Sequence, residues 1–153
     1  MRIREFRIGD EPGLHQVFLS AIHEIAIRDY TLDQVNAWAP RSLDPMLWAD
    51  RMRGIAPFVV EHEGRPVAYA DVQDNGYIDH FFVSAPVARQ GVGSRLMRRI
   101  HQEAAHKGIP LLTSDVSRTA QPFFMRFGFR MVEEKQPIIR GIVVPNASME
   151  KRL

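Results

Sequence analysis

The chain has 153 residues, of which 45% are hydrophobic, and its 20 basic and 18 acidic side chains give a formal net charge of +2. This near balance argues against a nucleic-acid-binding protein, which would carry a strongly basic patch. The absence of cysteine excludes disulfides, thiolate nucleophiles and cysteine-ligated zinc. No apolar run approaches the roughly 20 residues of a membrane-spanning helix. We therefore expect a cytoplasmic protein with one domain over residues 1–153 and no membrane contact.

The first half of the chain predicts one strand followed by three helices, because alternating apolar residues give way to apolar residues that recur every three or four positions. Asp, Thr and Pro residues supply helix-start signals, and Pro or Gly supplies the stops. The predicted elements are an edge strand over residues 3–8, a helix that Asp10 caps and that runs to Ile25, a helix opened by a Thr31–Gln34 capping box and ended by Pro40, and a helix that begins at Asp44-Pro45 and ends before Gly54.

The second half predicts a mixed α/β arrangement. Turn sequences at residues 63–64 and 74–76 separate three strands that we expect to be antiparallel. A strand, a helix and a strand then follow in order, which is typical of a right-handed parallel crossover over residues 77–116. The predicted elements are strands over 58–60, 67–72 and 77–83, a helix over 92–107, a strand over 111–116, a short helix over 120–127, strands over 129–133 and 138–144, and a closing segment over 146–153.

The most informative stretch is residues 84–94, between a strand and a strongly amphipathic helix. Gly91 and Gly93 leave backbone N–H groups uncovered, and the helix start adds partial positive charge, so a pyrophosphate could sit there. An isolated Gly-x-Gly is equally compatible with a tight turn. The segment lacks the Gly-Lys-Ser/Thr of a kinase-type phosphate loop and the third glycine of a dinucleotide fingerprint.

Two motifs of the chain resemble those of the GNAT acetyltransferases. Residues 88–93, Ala-Arg-Gln-Gly-Val-Gly, resemble the family's Gln/Arg-x-x-Gly-x-Gly/Ala turn, with Ala88 where Gln or Arg is usual. Residues 117–129 resemble the Asn-x-x-Ala-x-x-Phe-Tyr-x-x-x-Gly-Phe stretch that follows the family's fifth strand. The resemblance covers residues 58–153 and, more loosely, the first strand and helix. It implies an α/β GNAT-type fold, in which a mostly antiparallel central sheet is splayed between its fourth and fifth strands and carries helices on both faces.

The resemblance also implies acetyl-coenzyme A (acetyl-CoA) as cofactor. Val83 would face the pantetheine arm, Ser117 and Phe124 would lie along the same cofactor site, and the thioester would lie near Val83 and residues 114–116. The family's roles place six backbone amides toward the pyrophosphate, those of Arg89, Gln90, Gly91, Val92, Gly93 and Ser94.

Transfer of an acetyl group to an amine requires a neutral amine, and an ammonium with a pKa near ~10.4 needs help to lose its proton. Asp79 and His80, adjacent on the strand that leads into the turn, are the candidate catalytic bases. Strand alternation places them on opposite faces, so we expect only one to reach the site. Both have a structural alternative, since Asp79 could bond a turn amide and His80 could be a satisfied sheet residue.

The family's thiolate-protonating tyrosine would fall at position 124, where this chain has Phe124. General acid catalysis typically supplies about 10²- to 10⁴-fold in rate, so its loss weakens turnover without forbidding it. The hydroxyls of Tyr30, Tyr69, Tyr77 and Ser117 remain open as substitutes.

For the acceptor, Tyr30 and Trp38 are the candidate binding residues, although aromatic residues at helical spacing are more often core. Asp29 and Asp71 could hold a cationic amine or be ordinary solvated charges. The six histidines show no metal-ligand spacing, so no metal is expected. The apolar residues 138–144 fit either a homodimer interface or a core strand.

These features predict an N-acetyltransferase in which a primary amine of a small-molecule or peptide acceptor attacks acetyl-CoA directly in a ternary complex. A covalent acyl-enzyme is not expected, because cysteine is absent and no Ser-His-Asp constellation is legible. The alternative is a catalytically weakened acyl-CoA-binding module of the same fold.

Overall fold

Helices and strands alternate along the chain in the computed structural model, which describes residues 1–153. The helices are α1 (Glu11–Ser20), α2 (Leu32–Trp38), α3 (Pro45–Ile55), α4 (Val92–Lys107) and α5 (Gln121–Arg126). The strands are β1 (Arg2–Glu5), β2 (Phe58–His62), β3 (Arg65–Ala70), β4 (Tyr77–Ile78), β5 (Phe81–Val83), β6 (Leu111–Ser117), β7 (Arg130–Lys135), β8 (Ile138–Ile139), β9 (Ile142–Val143) and β10 (Asn146–Arg152). None of the helices combines the length and apolar character needed to cross a membrane.

The strands form two four-stranded sheets and a small hairpin. One sheet has the order β1-β2-β3-β5, the other has the order β4-β6-β10-β7, and β8 pairs with β9. Every pairing is antiparallel except that of β4 with β6, where Tyr77 lies opposite Thr113 and Ile78 opposite Ser114. The crossover through α4 therefore joins parallel strands, as the sequence predicts.

The two sheets separate at a break between β4 and β5. The sequence predicts one continuous strand over residues 77–83, and this is wrong at Asp79 and His80, which belong to neither strand. Before the break, β4 pairs with β6 of one sheet; after it, β5 pairs with β3 of the other. Because β5 and β6 do not pair, a gap opens between them. The predicted α/β fold with a sheet splayed at this point is confirmed.

Helices cover both faces of the β2–β3 hairpin, because alternate strand residues point to opposite faces. Val59 and Tyr69 pack into a cluster with buried residues of α1 and α3. Their neighbours Val60 and Ala68 pack into a second cluster with the buried face of α4. The chain therefore has two apolar layers, one on each side of this sheet.

One predicted helix cap and one predicted helix end differ from the structure. Asp10 occupies the N-cap position of α1, as predicted, but its side chain makes no capping bond. Its carboxylate instead accepts two bonds from Arg4, at 2.8 and 2.9 Å, and one from the Arg7 amide at 2.8 Å. Gly54 lies inside α3, which is ended by Ala56 in a left-handed conformation with φ 42°. In addition, α1 is prolonged by a π-helical turn (Ala21–Ile25) and a 3₁₀ turn (Ala26–Arg28).

The predicted strand over residues 138–144 is a hairpin instead. The chain reverses between β8 and β9 at Arg140 and Gly141, whose φ angles of 48° and 80° are both left-handed. Ile138 is 71% exposed, so the hairpin is not a core strand. It packs against α2, on the side where the two sheets diverge. The hairpin thus helps to enclose the space next to Asp79 and His80.

Candidate active site

Two adjoining cavities occupy the gap between β5 and β6. The first, of about 310 Å³, lies between the π turn after α1, β5 and the start of α4, and we call it the α4 cleft. The second, of about 590 Å³, lies between α2, α3, the β8–β9 hairpin and the strand break, and we call it the hairpin cavity. Trp38, Phe82 and Ser117 line both. The two spaces therefore meet at these three side chains.

The loop at the mouth of the α4 cleft presents unpaired backbone amides. None of the N–H groups of residues 89–94 donates a hydrogen bond within the protein. Arg89 and Gly91 have left-handed φ angles of 60° and 80°, which turn the loop sharply into α4. A side chain at Gly91 would meet no protein atom within 4 Å, so the space beside this residue is open. Unpaired amides at the start of a 16-residue helix suit an anion.

The predicted cofactor residues mostly line this cleft. Gly93 has a second role, because a Cβ at this position would lie 3.4 Å from two ring atoms of Phe123, so the glycine allows α4 to lie close to that ring. Gln90 does not line the cleft, and its side chain donates to the Pro86 carbonyl at 3.3 Å. The predicted residues that do line it are Val83, Arg89, Gly91, Val92, Gly93, Ser94 and Ser117.

Phe124 lies outside both cavities, which corrects the expectation that it packs along the cofactor site. Its side chain is 2% exposed and its ring packs against those of Phe81 and Phe129, with centroids 5.6 and 5.0 Å away. The preceding residue, Phe123, lines the α4 cleft instead. Helical geometry explains the difference, since adjacent residues of α5 point about 100° apart.

Asp79 and His80 both line the hairpin cavity. The expectation that only one of them reaches the site is wrong, because residues at a strand break do not alternate between faces. The Asp79 carboxylate has no hydrogen-bond partner in the protein. Burial raises its pKa above the ordinary value, the nearby charge of Arg51 opposes this rise, and the charge of Asp115 adds to it. His80 is 5% exposed, and burial, followed by the charge of Arg51, lowers its pKa to about 3. At neutral pH His80 is therefore neutral.

The tautomer of His80 is fixed by Tyr69. The Tyr69 hydroxyl lies 2.9 Å from Nδ1 of His80 and has no other partner. Tyr69 is fully buried. A buried O–H group must donate to an acceptor, so Tyr69 donates and Nδ1 carries no proton. The proton of the neutral ring then lies on Nε2, which has no partner in the protein. His80 consequently offers an N–H donor to the cavity.

The carboxylate of Asp71 lies behind the strand break and not in the cavity. It is 1% exposed, and burial raises its pKa to about 6. Its oxygens accept from the backbone amides of Asp79 and His80 and from the side chain of Gln73. Asp29, the other acidic candidate for holding an amine, accepts from Thr119 and lines neither cavity. The possibility that these two carboxylates bind the acceptor is therefore not supported.

Tyr30 and Trp38, the predicted acceptor residues, both line the hairpin cavity. The Tyr30 hydroxyl donates to the carbonyl of Pro145 at 2.5 Å and accepts from the amide of Arg118 at 2.9 Å, so it is fully engaged. The two rings pack edge to face with centroids 5.5 Å apart. They form an apolar wall and leave no hydroxyl at Tyr30 free for proton transfer.

Several polar residues of the hairpin cavity were missed at the level of sequence, although some had a signal. Asp115 alternates with the buried residues Leu112, Ser114 and Val116 of β6, which places it on the open face. Arg51 follows Leu47 by one helical turn and therefore shares its face of α3. No local pattern marks Arg140 and Asn146, because the hairpin and the β10 pairing that position them are tertiary features.

The comparisons with known proteins agree with this arrangement. Residues 26–152 match the acetyltransferase (GNAT) domain family. The chain is 30% identical over 149 residues to the uncharacterized N-acetyltransferase YafP of Escherichia coli (strain K12), which covers 97% of this chain and 94% of that protein. A GCN5-related N-acetyltransferase from Rhodopseudomonas palustris superposes with a TM-score of 0.94 at 26% identity, over 99% of this chain and 95% of the other.

The PaiA N-acetyltransferase from Thermoplasma acidophilum, solved in complex with coenzyme A, has the same fold with a TM-score of 0.77 at 14% identity, over 99% of this chain and 98% of that one. Since the family match spans most of the chain and the fold places unpaired amides beside a splayed sheet, sequence and structure lead to one assignment: the chain belongs to the GNAT acetyltransferase family.

Proposed function

We propose that this chain transfers an acetyl group from acetyl-CoA to a primary amine by direct attack in a ternary complex. The observation that carries the proposal is the junction of the α4 cleft with the hairpin cavity at Trp38, Phe82 and Ser117. Two reactants that enter from opposite sides would meet there without a covalent intermediate on the protein. Holding both in place removes much of the entropic barrier to a bimolecular reaction.

The α4 cleft fits coenzyme A in charge and shape. The unpaired amides of residues 89–94 suit the pyrophosphate, and the edge of β5 that faces away from β3 is free to bond the pantetheine arm. Acetyl-CoA supplies an acyl group activated as a thioester. The coenzyme A complex of the Thermoplasma acidophilum PaiA protein, which shares this fold, supports the same choice of cofactor.

On the amine side, we assign Asp79 as the group that receives the proton. Its carboxylate lines the hairpin cavity without a partner, and burial raises its pKa, which makes it a better proton acceptor. It takes a proton from the bound ammonium, and the neutral nitrogen then attacks the thioester carbonyl carbon. His80, with a pKa of about 3, is too weak a base for this role. Its Nε2–H group instead donates a hydrogen bond to the reacting carbonyl oxygen, where negative charge develops.

Ser117 is the hydroxyl proposed to replace the missing tyrosine. It lines both cavities, and its Oγ accepts from the Ala120 amide at 3.2 Å, which leaves its own proton free to donate to the departing sulfur. A thiol with a pKa near ~8.5 leaves readily as a thiolate, so a weak donor is sufficient.

The proposal is tested by acetyl-CoA calorimetry and by thiol release across a library of primary amines. Asp79→Asn should lower kcat by about 100-fold, within the range of a lost general base, with unchanged affinity for acetyl-CoA. The matched control is Asp74→Asn, at an exposed turn outside both cavities, which should behave as wild type. Full activity in Asp79→Asn would remove this residue from the mechanism.

A second candidate function, an acyl-CoA-binding module without turnover, is favoured by one observation. The position of the usual acid holds a phenylalanine that is sealed in the core. Acetyl-CoA binding without thiol release for any amine of the library would support this alternative and contradict the transferase.

A further inference from the structure

Three polar groups that line the hairpin cavity have no hydrogen-bond or ion-pair partner within the protein. Arg51 forms no ion pair or hydrogen bond within the protein. Its charge is the second cause, after burial, of the lowered pKa of His80. The carboxylate of Asp79 likewise has no partner. The amide oxygen Oδ1 of Asn146 is buried and accepts no hydrogen bond. Buried polar atoms are normally paired, so Oδ1 of Asn146 lacks a donor that a ligand could supply. Arg51 and Asp79 are exposed to solvent at the cavity wall, where their charges are available to a ligand.

The other two charges of the cavity differ in how they are neutralised. Asp115 accepts hydrogen bonds from Lys135 at 3.1 Å, from Tyr77 at 3.1 Å and from Ser148 at 3.2 Å, so its charge is compensated within the protein. Arg140 donates to the neutral carbonyl of Ala37 at 2.7 Å and keeps its charge. The cavity therefore holds two uncompensated cations, Arg51 and Arg140, and one uncompensated anion, Asp79.

This surplus of positive charge disfavours a polycationic acceptor. A polyamine or an aminoglycoside would bring several ammonium groups toward two unpaired guanidinium groups, and like charges at close range are a strong means of rejecting a ligand. An acceptor that carries one amine and one anionic group would instead place a positive charge at Asp79 and a negative charge at the arginines. Guanidinium groups suit carboxylates in particular, because the two form parallel hydrogen bonds.

We propose, resting on the transferase function argued above, that the acceptor is a small amphoteric amine that carries a primary amine and a carboxylate on the same carbon, together with an apolar side chain. The amine lies at Asp79 and donates to Asn146, and the carboxylate lies at Arg51. The apolar part of the acceptor packs against the aromatic wall of the cavity, which is formed by Phe18, Tyr30, Trp38, Trp48 and Phe82. A volume of about 590 Å³ is within the range of small-molecule sites.

The test compares matched amines that differ only in the carboxylate. L-phenylalanine is paired with 2-phenylethylamine and L-leucine with 3-methylbutylamine, and spermidine serves as the polycation. Thiol release gives kcat/KM for each amine, and calorimetry on the coenzyme A-saturated protein gives its affinity. We expect the carboxylate-bearing member of at least one pair to exceed its partner at least tenfold in both measurements and spermidine to rank last.

Arg51→Ala should remove this preference by lowering kcat/KM about tenfold more for the amino acid than for the matched simple amine. Arg98→Ala, at an exposed arginine of α4 that lines neither cavity, is the matched control. Equal or better use of the simple amines, or an equal loss for both members of a pair in Arg51→Ala, would overturn the acceptor class while leaving the transferase intact. The expected binding order without thiol release would overturn the transferase and retain the acceptor class. Binding of neither pair would overturn the acceptor class.

Discussion

One oxygen of the Asp71 carboxylate accepts hydrogen bonds from the backbone amides of His80, at 2.6 Å, and of Asp79, at 3.0 Å. Both amides lie at the break between β4 and β5, where neither sheet supplies a partner for them. The Asp71 amide in turn donates to the His80 carbonyl at 3.1 Å. Asp71 thus takes the place of a missing strand neighbour, and it fixes the backbone from which both candidate catalytic side chains enter the hairpin cavity.

Replacing Asp71 with alanine should disturb catalysis more than cofactor binding. The variant leaves the buried His80 amide and the part-buried Asp79 amide without their acceptor. An unpaired buried group costs about 1–3 kcal/mol, and the backbone of Asp79 and His80 is freed. We expect kcat to fall at least tenfold, while the KM for acetyl-CoA stays within twofold because the α4 cleft is untouched. Steady-state kinetics and urea unfolding measure the two effects. Asp71→Asn keeps an acceptor oxygen and should recover most of the activity; equal loss in both variants would contradict a positioning role.

His80 should make the folded state sensitive to acid. Its folded pKa of about 3 lies below the ordinary value of 6.5, so the unfolded chain binds this proton more readily. The contribution is fully present above pH 6.5 and is lost as the pH falls toward 3, by at most about 1.4 kcal/mol per pH unit. Wild type should therefore lose about 2 kcal/mol from this group between pH 7 and pH 5.

Asp71 opposes that trend, since its raised pKa of about 6 lets the folded chain hold a proton that the unfolded chain releases above its ordinary value of 3.8. The histidine contribution is isolated by comparing wild type with His80→Gln, which retains Asp71. Urea unfolding at pH 7 and pH 5 should show a smaller acid loss in the variant. The same pH dependence in both proteins would mean that His80 is not held neutral by burial.

Tyr69→Phe should release the imidazole tautomer of His80. The variant removes the donor to Nδ1, so the proton can move between the two ring nitrogens and the Nε2–H donor is no longer fixed. We expect kcat to fall about tenfold, which is less than the roughly 10²- to 10³-fold cost of removing a donor outright, because the Nε2–H tautomer stays partly populated. Nitrogen NMR should show an unprotonated Nδ1 in wild type and a mixture in the variant. A protonated Nδ1 in the wild-type protein would reverse the assigned direction of this hydrogen bond.

The sequence predicts those parts of the site that depend on local periodicity. Gly91 and Gly93 mark the turn before α4, and the motif that resembles the family's over residues 117–129 points to Ser117, which lines both cavities. The break at Asp79 and His80 was not predictable, because it arises when two halves of one apolar run choose partners in different sheets. Pairing of that kind is decided by distant strands and has no local signal.

The turn at Gly91 should tolerate added volume better than it tolerates negative charge. Gly91→Asp places a carboxylate beside the unpaired amides, where it both repels the pyrophosphate and competes for the same donors. We expect the Kd for coenzyme A to rise at least tenfold. Gly91→Asn is the matched control, since it has the same size, accepts the left-handed φ and carries no charge. Calorimetry that gave the same Kd for both variants would show that steric hindrance, and not charge, governs this position.

Phe124→Tyr should not restore the catalytic acid that the family places at this position. The side chain is 2% exposed and is enclosed by the rings of Phe81, Phe123 and Phe129, so a hydroxyl would be buried without a partner. We expect a loss of about 1–3 kcal/mol in the free energy of unfolding and no gain in kcat. Phe123→Tyr, on the wall of the α4 cleft, is the matched control and should cost less than 1 kcal/mol, because its hydroxyl reaches water. A faster and equally stable Phe124→Tyr protein would require the new hydroxyl to reach the junction of the two cavities, which the packing around this ring does not allow.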